Sequence, residues 1–291
     1  MEIYQKIKSA FDSYKGKKQI IGRTEGGREL FAFFAGISGG VTGICQYAIH
    51  AREWVTALLA LEHISYGLSL GGVWFLPLMN PDGAELCLSG LSSVKETKKR
   101  EFLRRVNGGT DFSLWKANAN GVDLNVNFDA GWGRGEKNLY RPAAENYVGE
   151  SPFSERETQA LRDFTRAVNP DFTISYHTAG EEIYYRYKQS PLQAARDQKL
   201  AKILARSTGY ALGDAGKSHG GYKDWCILKQ KIPAFTIEAG KGRQPLGLSA
   251  LRDIVGKNLH TVRALIDGWN YAGYENKIYE GGDPSGKEGG A

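Results

Sequence analysis

His50, Ala51, Arg52 and Glu53 set an imidazole and a carboxylate three positions apart. A hydrolytic zinc site takes three nitrogen or oxygen ligands from the protein and leaves one position open for water. The pair sits where the apolar, partly β-branched run Val41 to Ile49 passes into a helix-spaced apolar stretch from Glu53 to Ile64. At such a strand-to-helix junction both side chains can face one point. Taken alone the pair favours a surface or core role, because His-x-x-Glu arises by chance in many chains. Further residues change that balance. Trp54 follows directly, and Asn80-Pro81-Asp82-Gly83, a strong turn signal, ends the next apolar run, Val73 to Leu78. His177 ends a later β-rich run, and Glu238 stands isolated in an apolar one.

The elements that must position these residues alternate between strand and helix. Ser154-Glu155-Arg156-Glu157 reads as a capping box that opens a helix running to about Val168. Asp171 to Tyr176 and Glu181 to Tyr187 read as strands on either side of His177. Pro191 to Ser207 reads as a helix with proline in its first turn. Pro233 to Glu238 is a further buried strand, and Ser249 to Tyr271 a long closing helix. This alternation implies an α/β fold with a mostly parallel sheet covered on both faces. Sites in such sheets lie outside the carboxyl ends of the strands. His50, His177 and Glu238 each fall at or just past such an end, so they are expected to converge.

Composition bounds the rest. The 291 residues are 41% hydrophobic and 24% charged, which is ordinary for a globular chain. One catalytic domain over 1–274 is expected, with 275–291 as a flexible, glycine-rich tail. The net charge of +6 suits anionic partners. The dense basic run, Lys98-Lys99-Arg100 with Arg104-Arg105, reads as a solvated helix face, and no nucleic-acid motif accompanies it. Three widely spaced cysteines, Cys45, Cys87 and Cys226, suggest no disulfide framework and fit a reducing compartment. The charged N-terminus lacks the apolar core of a signal peptide, and no window is apolar enough to span a membrane. A cytoplasmic location is expected, with release to the cell wall by another route left open.

The constellation resembles the zinc carboxypeptidases of the carboxypeptidase A superfamily, the M14 peptidases. The resemblance runs from about Tyr4 to Tyr271 and rests on His50-Ala51-Arg52-Glu53-Trp54, Asn80-Pro81-Asp82-Gly83 and the spacing to His177. It implies one α/β domain with a mixed, twisted eight-stranded sheet between helices. Other segments look like the bacterial branch of γ-D-glutamyl-diaminopimelate peptidases. These are 115–125, from Trp115 to Asn125, then Glu145-Asn146-Tyr147-Val148-Gly149, Pro152-Phe153-Ser154-Glu155, His177-Thr178-Ala179-Gly180-Glu181-Glu182-Ile183-Tyr184, and Gly220-Gly221-Tyr222-Lys223-Asp224-Trp225.

Carried over by position, the resemblance makes His50, Glu53 and His177 the ligands of one Zn2+ per chain. Asp123 matches a carboxylate that orients the first histidine through its second ring nitrogen. Glu238 matches the general base. A carboxylate in an apolar strand has a raised proton affinity, as that role needs, although a buried ion pair is the plain alternative. Lys116 stands where many relatives carry an oxyanion-stabilising arginine, and a lysine is a point charge rather than a fork.

The sequence also departs from the family. Val126 fills the place of the arginine that grips a substrate's terminal carboxylate, beside a retained Asn125. The place of the substrate-capping tyrosine falls near Gly216, where His219 is the nearest substitute. Asp224 matches a residue of the specificity pocket and would select a cationic group such as the free ammonium of diaminopimelate or lysine. Arg186 and Lys188 are candidates for the carboxylate contact that Val126 cannot make, and an exposed strand edge explains them equally well.

The expected function is hydrolysis of peptidoglycan-derived peptides at the γ-D-glutamyl–diamino acid bond. The alternatives are a general metallocarboxypeptidase acting on C-terminal residues, basic ones among them, and an inert binding module on the same fold. The partner is a peptide or muropeptide, with neither nucleic acid nor membrane insertion expected.

Overall fold

The structure, a computed structural model, describes residues 2–269. The boundary expected at 274 and the tail at 275–291 lie outside the described residues. Eight strands form one mixed sheet: β1 (Lys18–Arg23), β2 (Glu29–Gly36), β3 (Thr42–Tyr47), β4 (Gly72–Leu76), β5 (Phe172–His177), β6 (Glu182–Tyr184), β7 (Ala211–Leu212) and β8 (Ala234–Glu238). Their order is β1-β2-β4-β3-β5-β8-β6-β7. The ladders among β4, β3, β5 and β8 are parallel, and β1, β2 and β6 join antiparallel. The parallel centre is why β4 and β5 are buried along their whole length: helices cover both faces.

Alternation along each strand sorts the two cores. Phe31 and Phe33 of β2, with Cys45 and Tyr47 of β3, face α1 (Ile3–Ser13) and α2 (Val55–Tyr66). Leu30, Ala32 and Ile44 face α5 (Arg156–Val168) through Leu161 and Phe164. Further helices are α3 (Pro81–Ser89), α4 (Thr97–Asn107), α6 (Pro191–Thr208), α7 (Tyr222–Trp225) and α8 (Leu248–Asn258). The basic run lies on α4, whose one buried residue is Leu103. No helix among the described residues is long and apolar enough to cross a membrane.

Four local expectations are corrected. Asn80-Pro81-Asp82-Gly83 opens α3 rather than a free turn, because Asn80 Oδ1 accepts the Gly83 N–H at 3.0 Å and Pro81 suits the first helical turn. The Ser154 capping box does not form. Ser154 Oγ bonds Glu155 Oε1 instead, and Glu157 turns inward, 2% exposed. A capping box does form at Ser190 and Gln193, at the start of α6. The strand expected to Tyr187 stops at Tyr184, and the closing helix breaks at 259–260 before resuming over 261–269.

Candidate metal centre

Each of the three candidate ligands leaves the sheet at its carboxyl edge. β3 ends at Tyr47, and Ala48 adopts φ +49, an uncommon conformation for a residue with a Cβ. Its N–H is held by Thr56 Oγ1 at 2.9 Å. His50 then flanks a 3-10 turn, Ala51–Glu53, so the histidine and Glu53 rise on the same side. The base of this turn is braced by Asn80, whose Nδ2 donates to Ile49 O at 3.2 Å and to Ala117 O at 3.1 Å. Asn80 thereby fixes the exit of β3 against the segment that carries Lys116. Gly83 permits that contact, since a Cβ there would meet Ala117 O at 2.5 Å.

The ligand atoms of His50, Glu53 and His177 all lie within 4.8 Å of one another, and all three residues are buried. His50 Nδ1 and His177 Nδ1 stand 3.1 Å apart, each 2.9 Å from a different oxygen of Glu53. Ligands about 2.0–2.1 Å from a tetrahedral zinc stand about 3.3 Å from each other, so the set fits that ion. Without a cation, two imidazole nitrogens would share the gap between them. Burial would raise the Glu53 carboxyl, but the two histidines outweigh it and hold that group far below the usual range. Burial lowers His177 against the pull of Glu53. For His50 the effect of burial is overcome by Glu53 and Asp123, and its pKa rises.

Asp123, fully buried, stands behind His50. Its Oδ1 is 3.3 Å from His50 Nε2 and its Oδ2 2.8 Å from Lys116 Nζ. It also accepts the N–H of Asn125 and of Asn146, each at 3.1 Å. Burial opposes its charge, yet Lys116 and His50 hold it ionised far below the usual range. Lys116 is thus no surface lysine. Its chain is 17% exposed and its ammonium lines the cleft while paired to Asp123.

Glu238 closes β8 directly beside His177 in register, and both line a cavity of about 280 Å3 together with Lys116, Asn125, Tyr184 and Lys223. Burial, then the Glu53 carboxylate, pushes the Glu238 carboxyl up to about 8. A divalent ion held by the three ligands would pull it back down.

The other site expectations separate. Asn125 lines this cavity, and its Oδ1 accepts from Tyr222 N at 3.1 Å. Val126 is buried beside Asn125 in an adjoining cavity and presents no charge. Asp224 reaches the cavity wall but is not a free carboxylate, because Lys223 Nζ lies 2.5 Å from its Oδ1. His219 is turned away, with Nδ1 3.0 Å from Tyr187 OH. The Arg186 guanidinium is exposed and packs on Tyr185; its backbone carbonyl, not its charge, meets Lys223. Lys188 is likewise exposed.

Two residues escaped the sequence reading. Lys223 was visible only as the neighbour of Asp224. Gln244 donates to Thr178 O and stands 3.5 Å from Glu53 Oε1, beside the ligands. No spacing rule points to Gln244, which arrives from a loop 191 residues past Glu53.

A buried His–Glu–His group at the carboxyl edge of a mixed, helix-covered sheet defines a protein built around a zinc site of hydrolytic type. The family model described as zinc carboxypeptidase (peptidase M14) matches residues 16–255, and the chain belongs to that family of zinc metallopeptidases. It is 34% identical over 221 residues to gamma-D-glutamyl-L-diamino acid endopeptidase 1 of Lysinibacillus sphaericus, a match covering 69% of this chain and 55% of that relative's length. It is 35% identical over 123 residues to murein peptide amidase A of Escherichia coli, covering 38% of this chain and 46% of that one. The fold superposes on bovine thrombin-activatable fibrinolysis inhibitor in complex with tick carboxypeptidase inhibitor, with a TM-score of 0.72 at 21% identity, over 93% of this chain and 96% of that one.

Proposed function

We propose that this chain hydrolyses a γ-D-glutamyl–diamino acid bond in peptidoglycan-derived peptides, with His50, Glu53 and His177 holding zinc. The observation that supports the hydrolytic part is that Glu238 stands in register beside His177 and lines the cavity that His50 and His177 also line. Zinc, when bound, supplies Lewis acidity that makes water nucleophilic near neutral pH and polarises the scissile carbonyl. Glu238 takes the proton from the attacking water and returns it to the leaving amine. Its place on the cavity wall, in register beside His177, suits both transfers. Asp123, 3.3 Å from His50 Nε2, favours the proton on that nitrogen and leaves Nδ1 for the metal. Lys116 brings positive charge to the cleft, where an oxyanion develops, and Asp123 fixes its position.

The substrate half of the proposal is supported by the named activity of the L. sphaericus relative and by Val126. An apolar residue in that place offers no fork for a terminal carboxylate. The test is mass spectrometry of L-Ala-γ-D-Glu-meso-diaminopimelate after incubation with zinc-loaded protein. Release of free diaminopimelate by the wild type and not by Glu238→Gln is expected. An intact peptide would exclude the proposed bond.

A further inference from the structure

Lys223 and Asp224 form an ion pair that the hydrolytic reading leaves without a task. Their side chains are 6% and 7% exposed, and both line the cavity that holds His177 and Glu238. Lys223 Nζ spends one donor on Asp224 Oδ1 at 2.5 Å and a second on Arg186 O at 3.0 Å. The Tyr187 ring lies 5.5 Å from the ammonium and closes off another side. An ammonium has three donors, so one remains. On the other partner, Asp224 Oδ2 accepts, among the described residues, only a long bond from Gly221 N at 3.3 Å and keeps lone pairs free. The wall therefore shows a fixed positive end and a fixed negative end side by side.

Such a pair selects neither a lone cation nor a lone anion. A lysine ammonium would find Asp224 already neutralised, and an isolated carboxylate arriving at Lys223 would meet the charge of Asp224. A group carrying both charges on one carbon satisfies both ends at once, carboxylate to Lys223 and ammonium to Asp224, with charge-assisted bonds in a site largely screened from water. We infer that the Lys223–Asp224 pair is the receptor for a zwitterionic amino-acid head, the free α-amino-acid end of a diaminodicarboxylate residue beside the scissile bond. The inference rests on the proposed function for its substrate and on the ion pair alone for its chemistry. It also sets this end apart from the other two carboxylates of the tripeptide, on D-glutamate and on the acylated centre of diaminopimelate, because each of those sits beside an acylated nitrogen and is no zwitterion.

Three peptides, L-Ala-γ-D-Glu-X, test it. X is meso-diaminopimelate with both charges, L-lysine with the ammonium alone, or L-α-aminoadipate with the carboxylate alone. Wild-type kcat/KM for diaminopimelate should exceed both others by at least tenfold, a comparison that needs no variant. Lys223→Met should collapse the diaminopimelate-to-lysine ratio, chiefly through KM, and Lys223→Arg should restore part of it. Equal use of the three peptides by the wild type, or a uniform loss on all three in Lys223→Met, overturns the inference. If the wild type cleaves none of them, the hydrolytic reading has failed and binding decides instead. Free meso-diaminopimelate should then raise the melting temperature of the wild type more than L-lysine does, an excess lost in Lys223→Met. An equal response to the two ligands overturns the receptor.

Discussion

His177 and Glu238 are register partners across the parallel ladder between β5 and β8, tied by a 2.8 Å bond from Ala239 N to His177 O. Two residues in register on adjacent parallel strands point to the same side of the sheet, about one strand spacing apart. The sheet itself therefore sets the separation between a proposed ligand and the carboxyl proposed to move protons. No loop has to close to bring them together.

Replacing Glu238 by glutamine keeps the shape and removes the proton acceptor. A fall in kcat of roughly 10²- to 10⁴-fold is expected, the range typical of a lost general base. Zinc content should stay at the wild-type level. Kinetics and elemental analysis on the same preparation check both halves, and a variant that loses its metal would place Glu238 among the ligands instead.

Asp123 contacts His50 and Lys116 but none of the three proposed ligand atoms. Asp123→Asn should weaken zinc binding by about 10- to 100-fold, as loss of a ligand's hydrogen-bond partner commonly does. Competition with a chromophoric chelator measures this. Unchanged affinity would leave Asp123 as a counter-ion for Lys116 and an acceptor for the Asn125 and Asn146 N–H groups, with no part in holding the metal.

Glu157 gives the fold an inverted pH response. Burial, reinforced by the Asp82 and Glu155 carboxylates, pushes its carboxyl up to about 8. In the unfolded chain it titrates near 4.3. Between those values the native state holds a proton that the unfolded state has lost, so this group's contribution to stability declines as pH rises, by up to ~1.4 kcal/mol per pH unit. Glu157→Gln should therefore be stabilising at pH 8 and nearly neutral at pH 4. Melting temperatures at the two pH values decide it, and a variant equally or more destabilised at pH 8 would show that Glu157 is native as the carboxylate.

Asn80 caps α3 and satisfies two buried carbonyls. Asn80→Ala loses the cap and strands both acceptors, so a loss of roughly 2–4 kcal/mol is expected. Urea unfolding with an unchanged m-value would bear this out. A loss under about 0.5 kcal/mol would mean that water replaces the amide.

Much of this centre could be read from residue order because its parts sit at strand ends, and strand ends are marked by apolar runs and their punctuation. His50, His177 and Glu238 were legible for that reason. Side-chain direction was not. Asp224 alone reads as a cation selector; only the fold shows Lys223 doubling back onto it. Ser154 and Ser190 both carry the capping pattern, and tertiary bonds decide between them: Ser154 is drawn to Asn127 and Glu155, which frees Glu157 to turn inward, whereas Ser190 has no such competitor and caps α6. Gln244 reaches the ligands from a distant loop, a placement no local rule encodes.

The most direct test is the zinc content of purified protein, measured by elemental analysis for the wild type and for His177→Ala. One zinc per wild-type chain, falling close to zero in the variant, is the expected result. A wild type that binds none when zinc is supplied, or a variant that keeps its full complement, would contradict a metal held by His50, Glu53 and His177.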